Sequence, residues 1–426
     1  MANGTFGGGT GTELDPYLVE DAMDLDAVRN NLDAYYKQTK DIDLSGISHV
    51  PIGSYADGIY FNGGYDGDVY KIKNYTVSGP SASGIFGATG DAIIKNVTTE
   101  NVIVGECEYA SALIGFMGNS TDVIIENCKV FGIEALNFGG WAIGGLVAYA
   151  EGAGNITFKN CEVWDMNVTC ECDTGGILGD AWYDWSGEDK VLTHRFEKCR
   201  VVNISVVSDS NVGGLVAYGE YVEIEHCSVE NANLEALDYG NVSCLTGFCY
   251  RANVKNAFGT GSIKNNYTLP QRGYSGGLIC WVGEACTVEN VYFEGTITTI
   301  IDGCGAIIGS LENEHVTVKN AFSYVQGNPT YDFVYLEETG YYDDKINTGT
   351  FDLVDCYSLY TNSGIMQGQL INNEELIQKK STYEAAGWDF NNVWKINEGS
   401  SLPYLFGGKS IGYLEAMPLT SITVVN

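Results

Sequence analysis

The amino-acid sequence predicts an all-β fold, a right-handed parallel β-helix of about nine to ten coils with short capping helices at its two ends. A glycine-hydrophobic knot recurs about every thirty residues, as at residues 144–147 (GGLV) and 276–279 (GGLI). The strand after each knot ends in Asn-Cys or a related pair, as at residues 127–128 and 160–161. A unit of this length cannot bury its own apolar face, so successive units have to stack on a shared core.

The knots mark one position in every predicted coil. They lie at residues 83–87, 111–115, 144–147, 175–179, 213–216, 243–247, 276–279 and 305–309.

The strands between knots alternate apolar and polar residues, as at 156–159 (ITFK) and 316–319 (VTVK). This period of two places the apolar members in the core and the polar members outside. Proline occurs only seven times in 426 residues, as parallel strands that donate at every rung require.

Stacking brings equivalent residues of neighbouring coils about 4.8 Å apart. Asparagines that end successive strands should therefore form an amide ladder at a coil corner. The alignment begins with Asn74 and Asn96, includes Lys198 and His226, and ends with Asp355. The predicted ladder itself consists of Asn127, Asn160, Asn256, Asn290 and Asn320.

Cysteine follows the corner residue in a second column, and thirteen cysteines occur in the chain. We expect this column to be buried, free thiols that pack as small hydrophobic residues. Disulfides would have to meet a narrow geometry at each rung, and residues 170–172 (CEC) lack the second pair that a zinc site needs. The column contains Cys128, Cys161, Cys199, Cys227 and Cys356.

The two ends of a solenoid need covers, because an open coil exposes apolar core and strand edge. We expect an N-terminal segment with a capping helix over residues 1–50 and the repeats over 51–372. A C-terminal cap should follow over 373–407, with a helix at 373–386 and aromatic residues that close the core, and a tail over 408–426.

The closing and opening motifs resemble GLUG-type repeats of bacterial surface adhesins and of phage tail or fibre proteins. The resemblance extends over residues 7–407 and rests on the Gly-Gly-Leu-Val knots and on several shorter segments. These are 9–19 (GTGTELDPYLV), 36–44 (YKQTKDIDL), 51–53 (PIG), 388–390 (WDF) and 402–405 (LPYL). The resemblance implies a β-helical scaffold and includes no catalytic motif.

The chain has 55 acidic and 22 basic residues, a net charge of −33. No cluster of Lys and Arg could neutralise successive phosphates, which excludes nucleic acid as a partner. No segment has the length and hydropathy of a membrane span. The first residues lack a secretory signal, so we expect synthesis in a cytoplasm. No cofactor is expected, and a bound divalent cation is the alternative left open.

Two insertions combine aromatic rings with carboxylates, the combination that recognises sugars. They lie at residues 180–189 and 330–344. Packing against the coil or a neighbouring subunit is the alternative for these rings. The glycan-binding candidates are Trp182, Tyr183, Asp184, Trp185, Tyr331, Phe333, Tyr335, Tyr341 and Tyr342. Glycoside hydrolysis needs two facing carboxyl groups, for which Asp184, Glu188 and Asp189 are the candidates.

The sequence therefore favours a virion structural protein of a tail fibre or spike, a homotrimer that presents loops to a host cell-surface glycan beside other virion or fibre proteins. One alternative is a tail-spike depolymerase, either a glycoside hydrolase or a lyase. Another is a bacterial surface adhesin or fibre subunit at the cell surface. Binding is favoured over catalysis because no catalytic motif is visible.

Overall fold

The computed structural model shows a parallel β-solenoid. It describes residues 5–79, 81–118, 120–151, 154–182, 193–237, 240–266, 273–299, 304–312, 315–327, 333–336, 349–359, 367–371 and 374–405. In these residues one parallel sheet system contains 28 strands and a second contains eight, and pairing within both joins one coil to the next. The predicted all-β parallel solenoid is confirmed, because period-two strands that cannot bury their apolar side alone stack on a shared core.

Each complete coil contains four strand positions in a fixed order. We name them knot, A, B and C strands, and several long strands run through two or three positions. The knot strands are Ala82–Ser83, Tyr109–Ser111, Ala142–Gly144, Asp173–Gly175, Val212–Gly213, Val242–Ser243, Ser275–Gly276 and Cys304–Gly305. The A strands are Phe86–Thr89, Ile114–Gly118, Val147–Glu151, Leu178–Trp182, the starts of Val216–Glu225 and Thr246–Asn265, Ile279–Val282, Ile308–Leu311 and Val334–Leu336.

The B and C strands follow the A strands and flank the asparagine corner. The B strands are Tyr17–Val19, Tyr35–Gln38, Gly64–Asp66, Ile93–Lys95, Val123–Glu126, Ile156–Lys159, Thr193–Glu197, the later parts of Val216–Glu225 and Thr246–Asn265, the starts of Cys286–Thr299 and His315–Gly327, and Thr350–Val354. The C strands are Ile42–Asp43, Lys71–Val77, Thr98–Val104, Lys129–Phe138, Glu162–Cys170, Arg200–Ser208, Ser228–Ala236, the ends of Thr246–Asn265, Cys286–Thr299 and His315–Gly327, then Tyr357–Ser358 and Gln369–Leu370.

The corner between B and C strands explains why asparagine recurs there. Its residues, from Asn96 to Asp355, have φ between 51° and 57°, a left-handed conformation that Asn adopts more readily than other non-glycine residues. Asn160 donates its side-chain amide to Asn127 at 3.3 Å, and Asn320 donates to Asn290 at 2.9 Å. Further side-chain amide hydrogen bonds join Asn127 to Asn96 and Asn290 to Asn256. The Asn256 amide also forms a hydrogen bond with the ring of His226.

Asn74 belongs to a different corner from the one the sequence alignment assigned. It lies inside a C strand, where the register continues Asn74 with Asn101, whose amide donates to the Asn74 Oδ1 at 2.9 Å. This second left-handed column continues through Gly132, Asp165, Asn203 and Asn231. The assignment was wrong because both corners favour the same residue types.

The cysteine column lies inside the solenoid. Cys128, Cys161, Cys199 and Cys227 are buried at 0–1% exposure, and all thirteen cysteines are free. Each of these four thiols donates to the backbone carbonyl two residues earlier, at 3.4–3.5 Å. Burial raises the pKa of Cys128, Cys161 and Cys199, so these thiols stay neutral and pack as apolar groups.

Parallel pairing begins at Tyr17–Val19, well before residue 51, where the sequence placed the first repeat. The short helix Ala22–Ala27 lies between the first two paired strands, and Asp21 caps it by accepting hydrogen bonds from the backbone of Met23 and Asp24. A 3₁₀ turn, Val28–Asn30, follows. Leu25 and Val28 are fully buried in the main core.

The C-terminal segment, residues 374–405, packs on the side of the solenoid. It contains the helices Glu374–Ile377 and Lys380–Ala385 and the antiparallel strands Trp394–Lys395 and Tyr404–Leu405. Its buried Trp388, Trp394 and Tyr383 contact Phe258, Tyr292 and Phe322.

Those three rings of the C strands point out of the solenoid, because their column begins with the polar Lys129, Glu162 and Arg200. The side chains next to them in sequence, such as Phe293, lie in the main core. The sequence expectation that the C-terminal aromatics close the core therefore differs from the structure, in which they cover an outer face.

Candidate functional site

The two predicted glycan loops fall mostly outside the described residues. This applies to Tyr183, Asp184, Trp185, Glu188, Asp189, Tyr331, Tyr341 and Tyr342. Trp182 ends the A strand Leu178–Trp182, and Tyr335 lies within Val334–Leu336. Phe333 is 0% exposed in the main core, so its ring cannot stack on a sugar, and this assignment is corrected.

A row of aromatic residues runs along the outer side of the A strands. Phe116 pairs in register with Tyr149, Tyr149 with Asp180, and Asp180 with Tyr218. The row continues through Phe248 and Trp281. It faces outward because the residues at the next position, such as Met117, Ala150 and Ala181, lie in the main core.

The N-terminal part of this row forms a surface of rings, which we call the tyrosine platform: Tyr55, Tyr60, Tyr109 and Tyr149 around Phe116. Tyr109 and Tyr149 stack with 4.5 Å between ring centroids and 12° between planes, and Tyr55 stacks on Phe116 at 4.0 Å. The four tyrosines are partly buried. They therefore keep part of their rings accessible, whereas Tyr218, Phe248 and Trp281 are 1–9% exposed.

Asp180 interrupts the aromatic row between Tyr149 and Tyr218. Its Oδ1 atom is buried and has no hydrogen-bond partner within the described part of the chain. Burial, with the nearby charges of Asp173 and Glu151, raises the pKa of Asp180 well above its usual range. A carboxyl group that is desolvated and surrounded by like charge favours its protonated form.

Asp173 supplies the second carboxyl group at this place. It opens a knot strand and pairs with Ala142, the residue that also pairs with Tyr109. The backbone and side-chain amides of Asn211 donate to its Oδ1 at 2.9 and 3.0 Å. Burial raises the pKa of Asp173, although these hydrogen bonds oppose the rise.

The carboxyl groups also act on the platform. Burial, followed by the charges of Asp180 and Glu151, raises the pKa of Tyr149. Burial and neighbouring Tyr55, Glu108, Glu151 and Asp180 raise the pKa of Tyr109 to about 12. Both hydroxyl groups therefore remain protonated at neutral pH and can donate hydrogen bonds.

The arrangement combines three chemical capacities. Partly accessible tyrosine rings can contact the apolar side of a pyranose. Carboxylates can accept hydrogen bonds from sugar hydroxyls. The Asp173 and Asp180 carboxyl groups interact electrostatically, and burial raises the pKa of both.

Sequence reasoning missed Asp173 and Asp180, although a signal was available. Each knot is followed by an A strand, and the outward position of that strand is aromatic in five coils, between Ala88 at one end of the column and Ser310 at the other. An aspartate in this aromatic column stands out once the coils are aligned on the knots. The sequence predicts the site in the loop after Asp180 instead, because the aromatic and acidic residues of that loop are adjacent in sequence.

Among the described residues, no group of three or more His, Cys, Asp or Glu side chains is arranged to hold a metal ion. None of the described helices combines the length and apolar character needed to cross a membrane.

Comparison with known proteins finds the GLUG motif at residues 271–298. This segment includes the knot strand Ser275–Gly276 and most of Cys286–Thr299.

Two curated relatives match part of the chain. A candidate Gly-rich membrane protein of Evansella cellulosilytica is 33% identical over 136 residues, which cover 29% of this chain and 15% of that protein. Halomucin of Haloquadratum walsbyi is 32% identical over 133 residues, 27% of this chain and 1% of that protein. The chain thus spans a small part of each relative.

Two solved structures are similar at low identity. A candidate immunoglobulin A1 protease of Bacteroides ovatus has a TM-score of 0.42 and 18% identity, covering 95% of this chain and 96% of that one. An IgA1 protease has a TM-score of 0.41 and 15% identity, covering 93% and 26%. The knots, the parallel register and the motif match agree, and the chain is a β-solenoid protein that carries the GLUG motif.

Proposed function

We propose that this chain is a surface β-solenoid that binds glycan on the tyrosine platform beside Asp180. The observation that carries the proposal is the stacked, partly accessible Tyr109–Tyr149 pair next to carboxyl groups. The rigid coil fixes these rings in one geometry before a ligand arrives, which reduces the entropy lost on binding. The described helices contribute nothing to the platform.

Trp141 adds a second accessible aromatic group near the platform. Its side chain is 71% exposed, and its backbone N–H donates to the Glu108 carbonyl at 2.7 Å. Glu108 directly precedes Tyr109, so the exposed indole lies close to the platform in the coil register. Large exposed aromatic residues are enriched where proteins bind partners.

The acidic surroundings define the kind of glycan. Glu108, Glu151 and Asp180 all raise the pKa of Tyr109 by their negative charge, and the whole chain has a net charge of −33. An anionic polysaccharide would be repelled at this site. The ligand class is therefore a neutral glycan whose hydroxyl groups donate to carboxylates.

The setting at the cell surface is supported by the relative named as a Gly-rich membrane protein. The finer form of the proposal, a homotrimeric tail fibre or spike that attaches to host glycan, rests on the sequence resemblance to phage tail proteins. Analytical ultracentrifugation tests the trimer, and a monomer would leave the cell-surface adhesin as the setting.

Size-exclusion chromatography of a neutral envelope polysaccharide, with protein and carbohydrate followed separately, tests the binding. We expect co-elution with the wild type and at least about a tenfold loss of affinity in Tyr149→Ala, because a central aromatic contact is removed. Trp164→Ala is the matched control, since it removes a partly buried aromatic ring from the C strands. Independent elution of wild-type protein and glycan would overturn the proposal.

A depolymerase is the second candidate, because the Asp173 and Asp180 carboxyl groups lie close enough to interact electrostatically and glycoside hydrolysis uses two carboxyl groups. In the same experiment, cleavage would make the polysaccharide elute later. Asp180→Asn should then abolish the shift and preserve binding. Unchanged elution of the carbohydrate with wild-type protein would exclude this candidate.

A further inference from the structure

The sequence Cys170-Glu171-Cys172 forms a close pair of thiols at the corner between a C strand and a knot strand. The two Sγ atoms lie 2.8 Å apart, and the Cys172 thiol donates to the Cys170 sulfur. Both side chains are largely buried, at 5% and 2% exposure, and the intervening Glu171 is exposed. The pair therefore lies directly beneath the surface at a position where the backbone turns.

Several polar groups surround the Cys170 sulfur. Its sulfur accepts from the backbone N–H of Cys172 at 3.4 Å and lies 3.1 Å from the Thr174 hydroxyl. The Cys170 thiol donates to the Ser208 hydroxyl at 3.5 Å and to the Cys172 carbonyl at 3.4 Å. Column thiols such as Cys161 likewise donate to backbone carbonyls.

Several donors around one sulfur stabilise a thiolate. Consistent with this, hydrogen bonds with Cys172, Ser208 and Thr174 lower the pKa of Cys170 to about 7, although burial opposes the effect. Burial and the adjacent Cys170 raise the pKa of Cys172. Cys170 is therefore the nucleophile of the pair, and the Cys172 thiol stays protonated and donates a hydrogen bond to the Cys170 sulfur.

We propose that Cys170 and Cys172 are a redox-active dithiol that closes reversibly to an intramolecular disulfide, with a small-molecule disulfide as the oxidant. The Sγ atoms already meet, so closing the bond to the normal disulfide length near 2.05 Å requires a movement below about 1 Å. No separate partner segment has to move, because both sulfurs are in one corner.

The exchange proceeds in two balanced steps. The Cys170 thiolate attacks one sulfur of the small disulfide, which forms a mixed disulfide and releases one small thiolate. Cys172 then loses its proton to solvent, and its sulfur attacks the Cys170 sulfur and releases the second small thiolate. The two cysteines lose two electrons in total, and the small disulfide gains them.

The test treats native wild-type protein with oxidised glutathione and then alkylates it before and after unfolding. Mass spectrometry of the peptide that contains residues 170–172 should show a loss of two hydrogens and protection of both cysteines from alkylation. Dithiothreitol should restore both thiols. Oxidation should slow at least about tenfold from pH 8 to pH 6, because the nucleophile becomes protonated.

Variants separate the two sulfurs. Cys172→Ser should retain one glutathione on Cys170, because the resolving thiol is absent. Cys170→Ser should react at least about tenfold more slowly, and Cys161→Ser, the control from the buried column, should oxidise like the wild type. Circular dichroism checks that each variant is folded.

Persistence of two free thiols at residues 170 and 172 in oxidised, folded wild-type protein would overturn the proposal. A disulfide that maps to other cysteines would overturn it equally. Neither result depends on a variant that has to fold, and neither depends on glycan binding at the platform.

Discussion

The tyrosine platform and the aromatic row of the C strands are two outward ladders on one solenoid, and they differ in what covers them. Phe258, Tyr292 and Phe322 are 0–4% exposed because residues 374–405 pack over them. Tyr109 and Tyr149 stack just as closely but remain partly exposed. Coil stacking is therefore sufficient to align rings, and a covering segment is needed to bury them.

A carboxyl group held away from water lies in or beside each ladder. Asp180 interrupts the platform row, and Glu294 lies two residues after Tyr292, in register with Thr260 and Tyr324 beside the covered row. Burial raises the pKa of Glu294 to about 7. The raised pKa of Glu294 is the electrostatic consequence of covering this face with residues 374–405. The platform has a similar carboxyl group beside accessible rings.

Removing a central contact of the cover should give the largest effect. The Trp388 ring lies 4.3 Å from Trp394 and 5.5 Å from Phe322, and its Nε1 donates to the Asn320 carbonyl at 3.0 Å. Trp388→Ala should destabilise the docked segment by about 3–5 kcal/mol. Limited proteolysis should then cleave within residues 374–405 of the variant and spare the coils.

Trp141→Ala is the matched control, because it removes a tryptophan that is 71% exposed. We expect its proteolysis pattern to equal that of the wild type. Coils contact their neighbours far more than distant parts, so the far-UV spectrum of Trp388→Ala should stay that of a β-solenoid. Loss of the whole spectrum would show that the cover and the coils unfold as one unit.

The same contrast explains what the sequence could predict. The solenoid was predictable because a knot and a left-handed corner repeat in every coil, and each repeat constrains the next. The place of the C-terminal aromatics was not, because Trp388 and Trp394 would pack equally well on an end or on a side. Predicting it would have required knowing that Phe258, Tyr292 and Phe322 point out of the solenoid and need a cover.

Asn74 and Asp180 show two further limits. A lone asparagine cannot report which of two left-handed corners it occupies, since both require the same backbone conformation. Asp180 was hidden because its significance depends on the rings above and below it in the stack. Those neighbours are about thirty residues away in sequence and become adjacent only in the correct register.

Glu294→Gln should have an intermediate effect on the cover and should change its pH dependence. The folded-state pKa of Glu294 is raised from 4.5 to about 7. Wild-type docking is therefore strongest below about pH 4.5 and weakens as the pH rises through 7. The variant should be more stably docked at pH 8 by on the order of 1–3 kcal/mol and equal near pH 4.

Hydrogen exchange of residues 374–405 at pH 5 and pH 8 measures this difference. The groups around Glu294 include the hydrogen-bonded hydroxyls of Tyr324 and Tyr383, which stay protonated over this range because their pKa values are raised. Glu289→Gln is the control, since that carboxylate pairs with Lys255 and Lys319 on the outer surface. Equal pH dependence in Glu294→Gln and wild type would contradict the assignment.

Asp180→Asn should produce the smallest change in stability. It is also the most direct test of the aromatic row that contains the tyrosine platform. The raised folded-state pKa means that the wild type is favoured below about pH 4 and loses stability as Asp180 ionises at higher pH. The variant keeps the shape of the side chain without the charge. Thermal melts should show it more stable than the wild type by about 1 kcal/mol at pH 8, with no difference near pH 4.

Glu134→Gln is the control, because it neutralises an exposed outward carboxylate on a C strand. If Asp180→Asn were destabilised at pH 8, its carboxylate would have a compensating partner in the protein, unlike the carboxylate of Glu294 in the covered region. A gain in stability at pH 8 would instead mean that the fold tolerates an unfavourable buried charge beside accessible rings. Such a charge persists where a ligand, and not the fold, requires it.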